Sequence, residues 1–392
     1  MRFLRLNYLQ ALSALICIAM SACVTAPPGT GLDGTGLTLQ EITQLLPDKV
    51  VDKDGWASDI KAAIEALDIN ATEEHVCAAA AVIDQESNFQ INPKVKDLPQ
   101  IVRQAILNKF YRLGILAEPA MVLLLAGKIP GKDETFSRRI QYLKTEKDLD
   151  LFFREIALAY RDKFPGPYVI TSAISKLLGP GYLEQLNPVT TLGSMQVKID
   201  FARDLPGSSD RSDSELRDWL YTREGGVKAG IARLLGYNAS YDDVIFRFAD
   251  YNSGIYSSRN AAFQEALSGL TGQPLSLDGD LLSYKDGEVA DVESKSLHAM
   301  RTFAKEHSIW EWIVNRDFQK EKSEDFEQTV SWSEVYSATT AKSGSKLHYA
   351  RIPIVTLDSP KLSTPRTTDW YAKNVKHRYN NCRARKLNVG NS

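Results

Sequence analysis

Apolar residues recur at helical spacing along most of the chain, whereas few stretches alternate in the manner of strands. Residues 39–46 and 56–67 predict two short amphipathic helices. Asn70 and Thr72 are both capping residues before a third helix, whose residues 76–83 are apolar on nearly all sides. A helix of that kind is usually buried, so we expect it to lie in the core and to bring Glu86 to its C-terminal end.

The rest of the chain continues this helical pattern. Residues 95–185, punctuated by Gly and Pro, predict four or five helices, and more helices follow up to residue 270. Asp278 and Gly279 predict the turn of one small hairpin. Beyond about residue 290 come further helices, an extended Pro-rich segment at 346–365 and a basic final helix at 367–386. We therefore predict a mainly α-helical protein.

The N-terminus has the pattern of an export signal. Arg2 and Arg5 precede an apolar run at 9–20, and small residues follow it. The run is too short to be a transmembrane anchor. We therefore predict that residues 1–22 are a signal peptide.

Cys23 follows Ala22 directly and resembles the cysteine of a bacterial lipobox. The resemblance implies cleavage before Cys23 and its lipidation, with residues 23–37 as a flexible tether rich in Pro, Gly and Thr. The alternative is an ordinary secreted protein with an incidental cysteine; we favour the lipoprotein because of the tether. Val24, where inner-membrane lipoproteins carry Asp, implies an anchor in the outer membrane.

Charge and composition exclude several classes of function. The chain has 392 residues and a formal net charge of -2, so nothing global indicates nucleic-acid binding. Residues 376–386 are basic; we favour a solvated helix face, with contact to anionic lipid or lipopolysaccharide as the alternative. The histidines show no metal-ligand spacing, and a phosphate-binding glycine loop and a serine-nucleophile elbow are both absent. We predict no metal and no cofactor.

Two cysteines, Cys77 and Cys382, remain after the signal peptide and Cys23 are set aside. In an oxidising compartment they would form a disulfide that ties the C-terminus to the core. A buried Cys77 among alanines and an exposed Cys382 are the alternative, and the sequence leaves both open.

Three motifs follow one another in helical surroundings: QESNF at 85–89, LGSMQ at 192–196 and FADYNSG at 248–254. With the helix GVKAGIARLL at 226–235, they resemble the lytic transglycosylases that have a goose-lysozyme-like core. The likeness covers roughly residues 55–90 and 190–270. It implies a lysozyme-like helical domain at 38–280, a large helical insertion at about 95–185 and a C-terminal helical extension at 281–392.

The chemistry of that family depends on one glutamate. Cleavage of a glycosidic bond needs a proton on the leaving oxygen. Burial helps a carboxyl group to hold that proton near neutral pH, because desolvation disfavours the charged form, and the C-terminal end of a helix acts in the same direction. Glu86 stands in such a position, and Ser87 can fix the turn that follows.

The resemblance also assigns roles to individual residues. Glu86 would act first as acid and then as base, and the substrate's N-acetyl group would stabilise the developing cation. Tyr251 would hydrogen-bond Glu86. The remaining residues would contact the substrate or shape the cleft; they are Ser87, Met195, Gln196 and Asn252. The product would be a 1,6-anhydro-muramoyl end from cleavage of the MurNAc–GlcNAc bond in peptidoglycan.

Structural alternatives remain for these residues. Glu86 could be a helix-end residue paired with Arg247 or Arg259, and Met195 could simply fill the core. For Asp250 we favour a side chain that faces solvent or pairs with Arg247 over a second catalytic acid, because neighbours on a helix do not share a face. The insertion could form a wall of the cleft, narrow it to one end of a glycan, or close it.

On overall layout the chain is similar to the YaiW-type lipoproteins of proteobacteria, a family of uncharacterised function. The likeness includes the long insertion, the FADYN motif and the SPK…TT-W segment near the C-terminus. We predict a lipoprotein of the outer membrane that acts on peptidoglycan glycan strands as a lytic transglycosylase. The alternatives are a catalytically inactive lipoprotein whose cleft binds glycan or peptide, and a structural outer-membrane partner anchored by Cys23 alone. The sequence makes no prediction of oligomeric state.

Overall fold

The computed structural model describes residues 36–129, 131–163, 187–285, 287–343, 348–357 and 365–385. The predicted signal peptide, Cys23 and most of the predicted tether lie outside the described residues, as does the end of the predicted insertion.

Helices dominate the described residues, as predicted. They are α1 (Leu39–Leu45), α2 (Lys53–Glu65), α3 (Glu73–Ser87), α4 (Leu98–Phe110), α5 (Ala117–Ala126), α6 (Phe136–Ile140), α7 (Glu146–Lys163), α8 (Ile199–Arg203), α9 (Asp213–Leu220), α10 (Arg223–Leu235), α11 (Ile245–Ser253), α12 (Ser257–Thr271), α13 (Lys295–Glu306), α14 (Glu311–Phe318), α15 (Val330–Ser343) and α16 (Thr368–Arg383), with 3-10 turns at Tyr111–Leu116 and Glu324–Gln328. The strands form short antiparallel pairs: β1 (Thr191–Leu192) with β2 (Val197–Lys198), β3 (Tyr284–Lys285) with β4 (Glu288–Val289), and β5 (Thr356–Leu357) with β6 (Arg366–Thr367).

Helix α3 is buried along most of its length. The Thr72 side chain accepts a hydrogen bond from the His75 backbone N–H and so caps the helix, as predicted. Residues 76–83 are buried without exception. Small alanines let neighbouring helices approach closely, and α2, α10 and α16 pack around α3.

The helix ends well before Pro93. Asn88 (φ 54°) and Phe89 (φ 57°) adopt left-handed backbone conformations, which stop the helix immediately after Ser87. The Phe89 ring then packs edge-on against Trp56, with 5.3 Å between the ring centroids. The turn therefore folds back onto α2 and leaves Glu86 in the last helical turn.

The buried apolar residues form two clusters. The first, which we call the first core, contains α1–α3, the insertion helices, α10, α11 and α16. The second core runs from Phe263 to Tyr336. The predicted boundary at residue 280 does not separate these cores, because α12 lies before it and contributes to the second core, whereas α16 lies far beyond it and belongs to the first.

The predicted hairpin at Asp278 and Gly279 is wrong. Those residues form a turn held by the side chain of Gln264, whose amide donates to the Asp278 carboxylate and whose carbonyl accepts from the Gly279 N–H, both at 2.9 Å. The hairpin lies further along the chain, where Tyr284 pairs with Val289. The Gln264 side chain on α12 therefore provides the hydrogen bonds of this turn, in place of a pair of strands.

Within the described ranges, every helix is too short or too polar to cross a membrane.

Candidate functional site

The first predicted motif lies at the C-terminal end of α3. Glu86 is half-buried there, and its Oε1 accepts a hydrogen bond of 2.5 Å from the hydroxyl of Tyr371 on α16. The buried Ser87 hydroxyl donates to the Ile83 carbonyl at 3.0 Å. Ser87 thus holds the last turn of the helix, which is the structural part of its predicted role.

The second motif forms the turn between β1 and β2. Gly193 has a φ of 77° and packs so close to the chain that a Cβ would stand 2.4 Å from the Leu220 carbonyl oxygen. Met195 is completely buried, and a Cβ on Gly230 of α10 would stand 2.3 Å from its sulfur. The small residues of the 226–235 helix therefore make room for Met195.

The third motif meets the second directly. The Tyr251 hydroxyl on α11 donates to the Met195 carbonyl at 2.6 Å, and Arg233 donates to the Tyr251 carbonyl at 2.9 Å. Burial raises the pKa of Tyr251, the positive charge of Arg233 lowers it, and the negative charge of Glu86 raises it by a smaller amount. The charge of Glu86 therefore acts on the Tyr251 hydroxyl. The Tyr251 hydroxyl nevertheless donates to the Met195 carbonyl, and the Tyr371 hydroxyl donates to Glu86.

The Gln196 side chain is held in place from two directions. Its amide donates to the Glu146 carboxylate at 2.9 Å, and its carbonyl accepts from the Thr191 hydroxyl, also at 2.9 Å. Glu146 is the first residue of α7, within the predicted insertion. A small pocket beside these side chains is lined by Asn92, Pro93, Lys147 and Tyr221. The insertion thus contacts the second motif through Glu146.

Asn252 is half-buried and contacts the C-terminal helix. Its side-chain carbonyl accepts a hydrogen bond of 3.1 Å from the hydroxyl of Thr368, the first residue of α16. The same helix also carries Tyr371, so α16 contacts both the Glu-Ser motif and the Tyr-Asn motif.

The motifs that lie far apart in sequence thus surround one place in the first core. A family model described as "Protein of unknown function (DUF1615)" matches residues 49–385, a range that includes all of them. The chain belongs to the DUF1615 family.

The chain is similar along nearly its whole length to a protein of Escherichia coli. The uncharacterized protein YaiW of Escherichia coli (strain K12) is 34% identical over 382 residues, which cover 96% of this chain and 99% of the relative. No solved structure matches the chain. The similarity to YaiW-type proteins is confirmed, whereas the likeness to lytic transglycosylases, the lipidation of Cys23 and the membrane location stay predictions.

The DUF1615 fold joins Cys77 and Cys382 in a disulfide, with 5.5 Å between their Cα atoms. The bond links the middle of α3 to the end of α16. Of the two alternatives that the sequence left open, the structure has the disulfide.

The prediction for the Asp250 side chain was wrong. Its side chain neither faces solvent nor pairs with Arg247; it is fully buried at the end of α11. Five groups donate to its carboxylate: the hydroxyls of Tyr237, Tyr241 and Ser257 and the backbone N–H groups of Tyr256 and Ser258. Burial raises the pKa of Asp250, while these donors act in the opposite direction. The carboxylate therefore joins α11 to α12 and has no path to a substrate.

The two arginines considered as partners for Glu86 bind backbone carbonyls. Arg247 donates to the carbonyls of Leu234 (3.3 Å) and Tyr237 (3.2 Å). Arg259 is buried in the second core, where it donates to the Glu321 carbonyl at 2.6 Å. Both residues hold loops of the fold.

Sequence reasoning missed Thr368, Tyr371 and Glu146. A signal for α16 was present: Tyr371, Val375, Tyr379 and Cys382 recur at spacings of four, four and three, the stripe of a helix with one buried face. The stripe predicts burial but not the partner that buries it. Within the described part of the chain, no group of His, Cys, Asp and Glu side chains is arranged to hold a metal ion.

Proposed function

We propose that this DUF1615 protein is a peptidoglycan lytic transglycosylase and that Glu86 is its acid and base. The observation that carries the proposal is the hydrogen bond from Tyr251 to Met195, together with the contacts of α16 to both Glu86 and Asn252. Three motifs typical of that enzyme family therefore converge on one half-buried carboxyl group. A carboxyl group in this position is partly desolvated yet reachable, as general acid catalysis requires.

In the proposed reaction, the Glu86 carboxyl proton passes to the glycosidic oxygen as the bond from that oxygen to the anomeric carbon of MurNAc breaks. The carbonyl oxygen of the substrate's N-acetyl group stabilises the anomeric carbon. The Glu86 carboxylate then takes the proton of the C6 hydroxyl, whose oxygen bonds to the anomeric carbon. The products are a 1,6-anhydro-muramoyl end and a free GlcNAc end, formed without water.

We propose Gln196 and Asn252 as the polar groups that orient the sugar, with Met195 beneath them. Gln196 is held by Glu146 and Asn252 by Thr368, so neither amide needs to be ordered when substrate binds. Attachment of the protein to the outer membrane through Cys23 remains part of the proposal, since it would place the site near the cell wall.

The test is digestion of purified sacculi by a lipid-free form containing residues 24–392, with mass analysis of the released fragments. We expect the wild type to release anhydro-muropeptides and Glu86→Gln to release them on the order of 10²–10⁴ times more slowly. Glu74→Gln is the matched control, because Glu74 is an exposed glutamate on the same helix; it should keep full activity. Absence of anhydro products from the wild type would refute the enzymatic proposal.

A second candidate is a glycan-binding lipoprotein without catalysis. The observation that favours it is the contact of α16 with both Glu86 and Asn252, which narrows access to these groups. Co-sedimentation with sacculi separates the candidates. Binding by the wild type and by Glu86→Gln alike, without release of fragments, would support the binding role.

A further inference from the structure

We infer that Tyr371 is the positioning residue of Glu86. We also infer that the Cys77–Cys382 disulfide, which we call the clamp, fastens α16 to α3 and so holds Tyr371 in place. The inference rests on the proposed function, because positioning matters only if the Glu86 carboxyl group acts on a substrate. It adds to that function a residue from outside the three motifs, 285 positions along the chain from the glutamate that it contacts.

The Tyr371 hydroxyl is suited to this role. The side chain is 5% exposed, and its ring belongs to the first core, so packing fixes the direction of the hydroxyl. Burial, with the charge of Glu86, raises the pKa of Tyr371 well above its ordinary value. The hydroxyl therefore keeps its hydrogen at any physiological pH and remains a donor to Oε1 of Glu86.

The consequence for Glu86 is orientational. A glutamate at a helix end has three rotatable side-chain bonds, and ordering them costs conformational entropy. A hydrogen bond from a rigid phenol restricts that freedom before substrate arrives. The contact thus restricts the position of the carboxyl group through its Oε1 atom.

The attachment of α16 explains how the phenol is held. The helix runs antiparallel to α3, and successive contacts follow the two helices in opposite order. Arg383 pairs with Glu73 at 2.7 Å, Cys382 is bonded to Cys77, Arg378 pairs with Asp84 at 3.1 Å, and Tyr371 reaches Glu86. The Arg383–Glu73 pair is solvent-accessible and contributes little, so the disulfide, the buried apolar face of α16 and the partly buried Arg378–Asp84 pair provide most of the attachment.

Tyr371→Phe tests the positioning role, because it keeps the ring and removes only the hydroxyl. On solubilised glycan strands we expect kcat to fall about 10- to 100-fold while KM stays within about twofold, since misplacement of a catalytic group acts on the chemical step. Tyr379→Phe is the matched control. Tyr379 lies on the same helix, is equally buried, and accepts its hydrogen bond from Arg383, away from the site; kcat should not change.

A double-variant cycle with Glu86→Ala, which removes the acceptor, and Tyr371→Phe keeps this inference separate from the proposed function. The unfolding midpoints of the wild type, both single variants and the double variant in urea measure the contact without any activity. We expect the two substitutions to be non-additive. Additive effects would overturn the positioning role, and so would an unchanged kcat in Tyr371→Phe. An inactive wild type with non-additive variants would refute catalysis but support the contact, which should then be visible as weaker sacculus binding by Tyr371→Phe.

The clamp is tested by the paired variant Cys77→Ser/Cys382→Ser. We expect its kcat to fall about as far as that of Tyr371→Phe, and added thiol reductant to lower the wild-type kcat but not that of the paired variant. Far-UV circular dichroism confirms that the paired variant folds. Full activity of a folded paired variant, or of the fully reduced wild type, would show that the disulfide is not needed to position Tyr371. Helix α16 would then be held by packing alone.

Discussion

The two cores of this molecule differ in how far their polar groups are exposed to solvent. In the second core, Arg259 and Glu321 are each 1% exposed; Arg259 donates to backbone carbonyls and to the Asn260 side chain, and the Glu321 carboxylate accepts from the Leu281 N–H and the Tyr284 hydroxyl. In the first core, Glu86 and Asn252 remain half-buried and are held by side chains from another helix. Fully buried polar groups stabilise the loops that they bind, whereas half-buried groups can be oriented without being sealed from solvent.

The largest expected effect comes from truncating the aromatic centre of the second core. Phe263 is completely buried and packs against Phe318, Phe326 and Trp332 with centroid distances of 5.2 to 6.1 Å. Phe263→Ala should lower the free energy of unfolding by about 3–5 kcal/mol, because it removes apolar contacts and leaves a cavity. Urea denaturation measures this.

The control for that substitution is Phe263→Leu, which retains most of the volume and should cost less. If the second core is purely structural, glycan release per folded molecule should stay at the wild-type level in both variants. If folded Phe263→Ala released less glycan per molecule than the wild type, the second core would not be purely structural.

Asp250 lies between the two cores and should give the next largest effect. All five of its partners are donors, so Asp250→Asn must turn an NH₂ group toward at least one of them, including backbone N–H groups that cannot rotate away. We expect a loss of about 2–3 kcal/mol of stability from an unsatisfied buried donor. Thermal unfolding tests it, with the exposed Asp242→Asn as control. Equal stability of Asp250→Asn and wild type would show that the carboxylate is not needed.

Local features of this fold were predictable from the sequence. The N-cap at Thr72, the buried run at 76–83 and the position of Glu86 at a helix end follow from residue spacing alone, because capping and apolar periodicity act within a few residues. The end of the helix at Asn88 was not predictable, since left-handed conformations at an asparagine and a phenylalanine have only a weak sequence signal.

The partners of the site residues were not predictable in the same way. Tyr371 and Glu146 each stand in an ordinary helical pattern, and periodicity indicates that a face is buried without indicating what it meets. The burial of Asp250 was missed for a related reason: its donors come from the loop before α11 and from the start of α12. Long-range assembly determined the roles of these residues, and one sequence carries little information about it.

The smallest expected effects on stability come from substitutions of two glycines in helices. One of them tests the close packing beneath the site. Gly230→Ala places a methyl group 2.3 Å from the Met195 sulfur and 2.4 Å from its Cβ, so Met195 must shift as a whole. Overpacking of this kind costs about 1–3 kcal/mol. The shift would also move the Met195 carbonyl that Tyr251 binds, so glycan release should fall along with stability.

Gly269→Ala provides the opposite result at a matched helical position. A Cβ there meets nothing within 4 Å, so the alanine should raise stability by about 0.5–1 kcal/mol through its better helix propensity. Gly269 lies in α12, which contributes to the second core, and release should not change. The two variants thus apply one chemical change to the two regions. If Gly230→Ala were as stable and as active as Gly269→Ala, the packing of α10 against the Met195 turn would not be a determinant of the site.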